Sequence, residues 1–267
     1  MCQKMKSHDP VWMFAPSSPV GENAPANVSA CGMTINAVNR YPVASASNAR
    51  EREIENCAYS RGVSFHVGSQ QRNPHAWDRA LASAAAVFRE CGERGITLSM
   101  VNLGGGFPTK YLKNVPTVKT YGSAIFRALR KHFGNRIPET IIEPGRGMVG
   151  NAGVIEAEVV LISKKSEDDD VRWVYLDIGK FGGLAETMDE SIRYPIRTPR
   201  DGDALAPCVL AGPTCDSADV LYEKQPYPLP VSLEIGDKLL IEGTGAYTAT
   251  YASVAFNGFA PLQAVHI

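Results

Sequence analysis

The sequence predicts an α/β region with parallel strands, from Gly62 to about residue 150, followed by a mostly β domain that runs to the C-terminus. Three observations carry this. Strand-like and helix-like periodicities alternate between residues 62 and 150, each strand-like run of that region ends in a polar, glycine-bearing turn, and helical periodicity all but vanishes after Gly150.

VSFHV is the first strand-like run, and Asn73 with Pro74 then supplies an N-cap and a first-turn proline for a helix. In that helix Trp77, Leu81, Ala84 and Phe88 recur on one face, and Gly92 or Gly95 ends it. TLSMVNL is the next strand and runs directly into Gly104, Gly105 and Gly106. Tyr121, Ile125, Ala128 and His132 mark a second amphipathic helix closed by Gly134, and TIIEPGRG opens with a third short strand. The order strand, helix, strand, helix, strand is that of parallel β/α units. Beyond it VIEAEVVLIS, RWVYLDIG, APCVLAG and VSLEIGDKLLIEG read as strands, and the acidic run Glu167 to Asp170 as a solvated loop between two of them. The predicted domains are therefore residues 61–150 and 151–267, preceded by residues 1–60, a stretch rich in Ala, Asn, Ser and Pro that is expected to be poorly structured beyond the charged NAREREIENC.

Composition narrows the function. The 27 basic and 28 acidic residues among 267 nearly cancel, so no global field favours nucleic acid or an anionic membrane, and a small-molecule partner is expected. Six scattered cysteines without a CxxC pair suit free thiols in a reducing compartment, which points to the cytoplasm. Near the N-terminus VWMF is the only apolar run and Pro16 follows it, which gives neither a secretory segment nor a membrane span.

The chemistry concentrates at the three strand ends, His66-Val-Gly68-Ser69, Gly104-Gly105-Gly106 and Glu143-Pro-Gly145-Arg146-Gly147. In parallel β/α architectures ligands bind at the carboxyl ends of strands. Consecutive glycines let backbone N–H groups approach an anion closely, and Arg146 offers a charge-assisted fork to phosphate. A carboxylate such as Glu143 beside that anchor suits a cationic ring nitrogen instead, and the flat imidazole of His66 suits a ring face. Those requirements are the ones pyridoxal phosphate imposes.

SFHVGSQ, LGGGFP, IIEPGRGMVG, DIGKFGG, GPTCDSADVL, EGTGAYT and FNGF stand in the order in which they occur in fold-type III pyridoxal-phosphate decarboxylases, the group of ornithine, lysine, arginine and diaminopimelate decarboxylases. The chain resembles that family over about three quarters of its length, and GPTCDS, GAYT and FNGF look most like bacterial ornithine or lysine/ornithine decarboxylases. The resemblance implies an alanine racemase-like, eight-stranded β/α barrel fused to a β-sandwich or barrel domain, in a head-to-tail homodimer with shared active sites. It implies that His66 stacks on the cofactor ring, that Glu143 pairs with the ring nitrogen, and that Ser69, Gly104, Gly105, Gly106, Arg146 and Tyr247 hold the phosphate. Cys215 would return a proton to the substrate α-carbon, and Asp216 would face the distal amine, both reaching into the partner's site. Without the resemblance Cys215 reads as a small buried hydrophobe and Asp216 as a helix N-cap.

Two departures stand out. Nothing in residues 1–61 resembles the YAVKAN-like motif that carries the family's Schiff-base lysine, and Lys180 of DIGKFGG does not match it. Only about three barrel strands are expected, too few to close a barrel, so the sequence reads as a gene fragment, a wrong start or a frame-shifted N-terminal stretch. The other departure is Pro195, at a position where many eukaryotic relatives carry an aspartate that touches the distal amine, leaving Asp189 or Glu190 as substitutes.

Overall fold

The alternation that marks VSFHV as a strand carries regular pairing only as far as Ser64, and His66 lies beyond the last ladder residue. The computed structural model describes residues 36–39 and 60–266. These pack as two units, one built from the described residues up to Gly105 with Thr117–Glu143, the other from Gly106–Pro116 with Pro144 onward.

In the first unit, β1 (Asn36–Asn39), β2 (Ser60–Ser64), β3 (Met100–Asn102) and β4 (Glu139–Ile141) form one sheet in sequence order. β2, β3 and β4 are parallel, and β1 pairs antiparallel with β2. The crossovers are α1 (Ala76–Glu93) and α2 (Val118–Phe133), as the expected β/α order requires. Apart from β1, which lies in the stretch expected to lack structure, the expectation for residues 1–60 falls outside the described residues.

α1 starts later than its sequence suggests. His75 is its N-cap, while the Asn73 side chain accepts from the His75 N–H at 3.0 Å, so Asn73 closes the turn that leads into the helix. Trp77, Leu81 and Ala84 are fully buried, and Phe88 meets Phe133 edge-on at 5.2 Å. The Trp77 indole N–H donates to the Leu103 carbonyl at 3.3 Å, and its ring meets Tyr121 at 5.7 Å. α2 is capped by Thr117, whose side chain accepts from the Thr120 N–H, and it ends at Gly134, whose φ of 62° suits a residue without Cβ.

Across these helices Lys131 and His132 of α2 converge on Asp78 of α1, each at 2.9 Å. The hydrogen bond from Lys131, then that from His132, holds the Asp78 carboxyl below its ordinary value of 3.8. A carboxylate whose native pKa is lowered stabilises the fold above the unfolded value, and that contribution is lost as pH falls through the native one. Asp78→Asn should therefore narrow the stability gap between wild type and variant as pH drops below about 4. Urea midpoints measured from pH 7 to pH 3 check this, and a gap independent of pH would contradict it.

The second unit is a sheet ordered β10-β8-β6-β5-β11-β7, with β9 paired to β8. Its strands are β5 (Val154–Ser163), β6 (Arg172–Leu176), β7 (Ile196–Arg197), β8 (Leu205–Ala211), β9 (Val220–Leu221), β10 (Tyr227–Pro230) and β11 (Lys238–Glu242). Of VSLEIGDKLLIEG only β11 is strand, because Val231 to Asp237 forms turns around Gly236, whose φ is 92°. Period-2 alternation places Ile155, Ala157 and Val159 of β5, Val174 and Leu176 of β6, and Leu239 and Ile241 of β11 in a common core. Glu167 to Asp170 lies in the turns between β5 and β6. α3 (Gly145–Val149) leads into this unit. Among the described residues no helix is long and apolar enough to cross a membrane.

Candidate functional site

Each unit carries part of the residue set that the sequence singles out. In the first unit the chain leaves β2 at Ser64 and turns through Val67 and Gly68, whose N–H donates to His66 Nδ1 at 2.9 Å. That bond fixes the imidazole and leaves Nε2 on its far edge. A Cβ on Gly105 would stand 3.3 Å from His66 Nε2 and 3.0 Å from the Glu143 carbonyl, so a side chain there would press these two strand ends apart by a few tenths of an ångström. Gly104 is under a stronger demand. Its φ is 63°, and a Cβ there would lie 2.1 Å from the Phe65 carbonyl oxygen.

Glu143 is exposed just past β4, and its backbone N–H donates to the Gly104 carbonyl at 2.9 Å. Its carboxylate accepts from the Asn102 side-chain amide at 2.6 Å, while the Asn102 side-chain oxygen Oδ1 accepts from the Gly104 N–H at 2.9 Å. Asn102 thus ties the glycine turn to the carboxylate. In the sequence its signal is an asparagine that closes an apolar strand directly ahead of Leu-Gly-Gly. His66, Gly104, Gly105 and Glu143 are brought together at the strand ends, and Ser69 stands exposed in the turn that follows His66.

The second unit holds Gly106, Arg146, Cys215, Asp216 and Tyr247. Arg146 is buried in α3, and the Glu186 carboxylate takes its guanidinium in a two-pronged pair, with Nη1 to Oε2 at 2.6 Å and Nη2 to Oε1. Nη1 also donates to the Tyr111 hydroxyl at 2.8 Å, and the group lies 4.7 Å from the centre of the Tyr247 ring. Burial works against the charge, but the Glu186 hydrogen bonds and the neighbouring Tyr111 outweigh it and raise the Arg146 pKa further. Nothing in the sequence spacing of Glu186 and Tyr111 connects them to Arg146.

Cys215 is an exposed thiol with φ of 54°, not a buried hydrophobe, because it sits at the tip of the loop after β8. Asp216 caps no helix. Its side chain accepts from the Ala218 N–H at 2.8 Å in a tight turn, after which the chain enters β9. Glu190 is committed to its surroundings, accepting from the backbone N–H groups of Lys224 and Gln225 and pairing with Arg193, whereas Asp189 is exposed beside Lys224. The Pro195 carbonyl accepts from the Glu242 N–H at 2.9 Å. Cys91 and Cys208 are further free thiols among the described residues, and burial pushes the Cys208 thiol up.

Comparison with known proteins bears on both units. A family model for the pyridoxal-binding domain of pyridoxal-dependent decarboxylases matches residues 45–150. A lysine/ornithine decarboxylase from Selenomonas ruminantium is 34% identical over 206 residues, covering 75% of this chain and 49% of that protein. Antizyme inhibitor 2 from Xenopus laevis is 33% identical over 211 residues, covering 74% of this chain and 45% of that protein. Ornithine and diaminopimelate decarboxylases match at comparable identity. Among solved structures, the lysine/ornithine decarboxylase of Vibrio vulnificus complexed with cadaverine aligns with a TM-score of 0.68 at 34% identity, covering 81% of this chain and 56% of that one. The chain spans about half the length of the curated relatives it matches. Its partial β/α barrel and following β domain, its strand-end glycines and these alignments agree in supporting the fold-type III pyridoxal-dependent decarboxylase family for this chain.

Proposed function

We propose that the protein binds pyridoxal phosphate and serves decarboxylation of a basic amino acid, with L-ornithine, giving putrescine, as its substrate. The observation that carries this reading is the convergence of His66, Gly105 and Glu143 at the ends of parallel strands, where the missing Cβ of Gly105 leaves room beside the imidazole edge. A flat group, a carboxylate and a glycine turn at the strand ends are the set that a phosphorylated pyridine needs.

When bound, pyridoxal phosphate would supply an electron sink for the decarboxylation. The Glu143 carboxylate, oriented by Asn102, holds the proton on the ring nitrogen, and the His66 imidazole packs on the ring face. By the family pattern the Gly105 and Gly106 N–H groups and the Ser69 and Tyr247 hydroxyls would hold the phosphate, whereas the Gly104 N–H already donates to the Asn102 side chain. Arg146 contributes through the donors that Glu186 and Tyr111 leave, since a guanidinium carries five N–H groups and three are taken here. The Cys215 thiol delivers the proton to the α-carbon, and the Asp216 carboxylate attracts the distal amine, each serving the partner's site in a head-to-tail homodimer. Near-neutral charge and scattered cysteines support a cytoplasmic setting.

The test is titration of the purified chain with pyridoxal phosphate, followed by the cofactor's visible absorption and dichroism, with amine release assayed from ornithine, lysine, arginine and diaminopimelate. Saturable binding weakened at least about tenfold in Glu143→Gln is expected, with turnover orders of magnitude below that of relatives because no lysine matches the family's anchoring motif. A folded chain that binds no cofactor would overturn the reading. A second reading rests on the similarity to antizyme inhibitor 2, and makes the chain a non-catalytic subunit that pairs with an intact decarboxylase. Co-purification with such an enzyme at unchanged or raised activity would favour it.

A further inference from the structure

Thr214 stands immediately before Cys215, and each of its polar groups is engaged. Its N–H and hydroxyl donate to Asp219 Oδ2 at 3.3 and 2.7 Å, and its carbonyl accepts from the Asn257 side-chain amide at 2.8 Å. Asp219 is itself 2% exposed, and its other oxygen accepts from the Lys180 N–H at 2.7 Å. Its backbone carbonyl accepts from the Gly212 N–H, which closes the loop on itself. Two glycines make room for this carboxylate. A Cβ on Gly179 or Gly212 would lie 2.1 or 2.2 Å from an Asp219 oxygen.

A buried carboxylate is costly unless donors fill it, and here the donors come from two separate segments. Residues 253–257 are joined to both by the Asn257 bond, by the Ser253 N–H donating to the Phe181 carbonyl at 2.9 Å, and by the stacked rings of Phe181 and Phe256 at 4.2 Å. Cys215, with φ of 54°, is held in a backbone conformation that non-glycine residues seldom adopt, and the anchored Thr214 precedes it directly.

We propose that Asp219 is a positioning residue. It fixes the Cys215 thiol and the Asp216 carboxylate by clamping Thr214, and Asn257 closes the clamp from the carbonyl side. This rests on the reading of Cys215 as proton donor for what the positioning serves, but not for the clamp itself. Asp219→Asn is nearly isosteric and still breaks the arrangement, because its NH2 must face either the Lys180 N–H or the Thr214 N–H.

In the full chain, amide hydrogen exchange and the rate of Cys215 alkylation by iodoacetamide, followed by peptide mass mapping, test this. Asp219→Asn should speed exchange at Lys180 and Thr214 by about tenfold or more and accelerate Cys215 alkylation about threefold, with β5 and β11 unaffected. Asn257→Ala, a change at an exposed side chain, should move Cys215 alkylation in the same direction by less, and Thr214→Ser should leave it unchanged. If Asp219→Asn does not fold, Asn257→Ala decides. Unchanged Cys215 reactivity in the folded variants overturns the clamp. Neither readout needs cofactor or substrate, so a chain that binds no pyridoxal phosphate overturns the functional reading and leaves the clamp standing.

Discussion

Glu186→Ala is expected to lower the stability of the second unit by about 3–5 kcal/mol, the range for removing one partner of a buried ion pair. The Arg146 side chain is 6% exposed and Glu186 16%, so water cannot replace the lost carboxylate, and the Tyr111 hydroxyl accepts a hydrogen bond without neutralising the charge. Glu186→Gln keeps the shape and one acceptor oxygen and should cost less. Replacing both partners by apolar residues of similar volume should recover much of the loss, because the penalty belongs to the orphaned charge and not to the pair's net worth. Urea unfolding followed by the exchange protection of β5, β6 and β11 measures it, and a loss below about 1 kcal/mol would show that the guanidinium finds another counter-charge.

Trp77→Ala is expected to cost the first unit about 3–5 kcal/mol, as for other fully buried large-to-small changes. Trp77 is wholly enclosed, packs edge-on against Tyr121, and donates to the carbonyl of Leu103, the residue that leads into Gly104. Truncation therefore opens a cavity between α1 and α2 and releases the strand end that precedes the glycine turn. Loss of exchange protection should reach Gly104 and Gly105 while β5 and β11 keep theirs. Trp77→Phe, which retains ring packing and loses the indole N–H, should fall between. A destabilisation of equal size with protection at Gly104 intact would separate the core from the turn.

The β/α order was legible because Trp77, Leu81 and Ala84 share a helical face and because glycines end each strand-like run. The start of α1 was misread by two residues, since Asn73 satisfies a turn ahead of the helix as readily as it caps one. VSLEIG looked like strand because alternation is blind to the left-handed turn at Gly236. His66, Gly105 and Glu143 declared themselves by their places at successive strand ends. Glu186, Tyr111, Asp219 and Asn257 did not, because each meets its partner across a fold that no local pattern encodes, Arg146 and Glu186 being 40 positions apart.

β5 finds its partner late. It pairs with β11 in a register that sets Glu158 opposite Lys238, 80 positions further along, so nothing translated in between can complete that edge. At ribosomal speeds of about 5–20 residues per second, the apolar face of Ile155, Ala157 and Val159 waits on the order of 4–16 s for Leu239 and Ile241 to arrive. During that interval β6 can already cover the opposite edge of β5, because its residues follow at once. The nascent chain therefore has an order of assembly built into its topology, with the β5–β6 hairpin first and the β11 edge last, and the half-finished sheet is the stage at which an unpaired apolar edge is exposed.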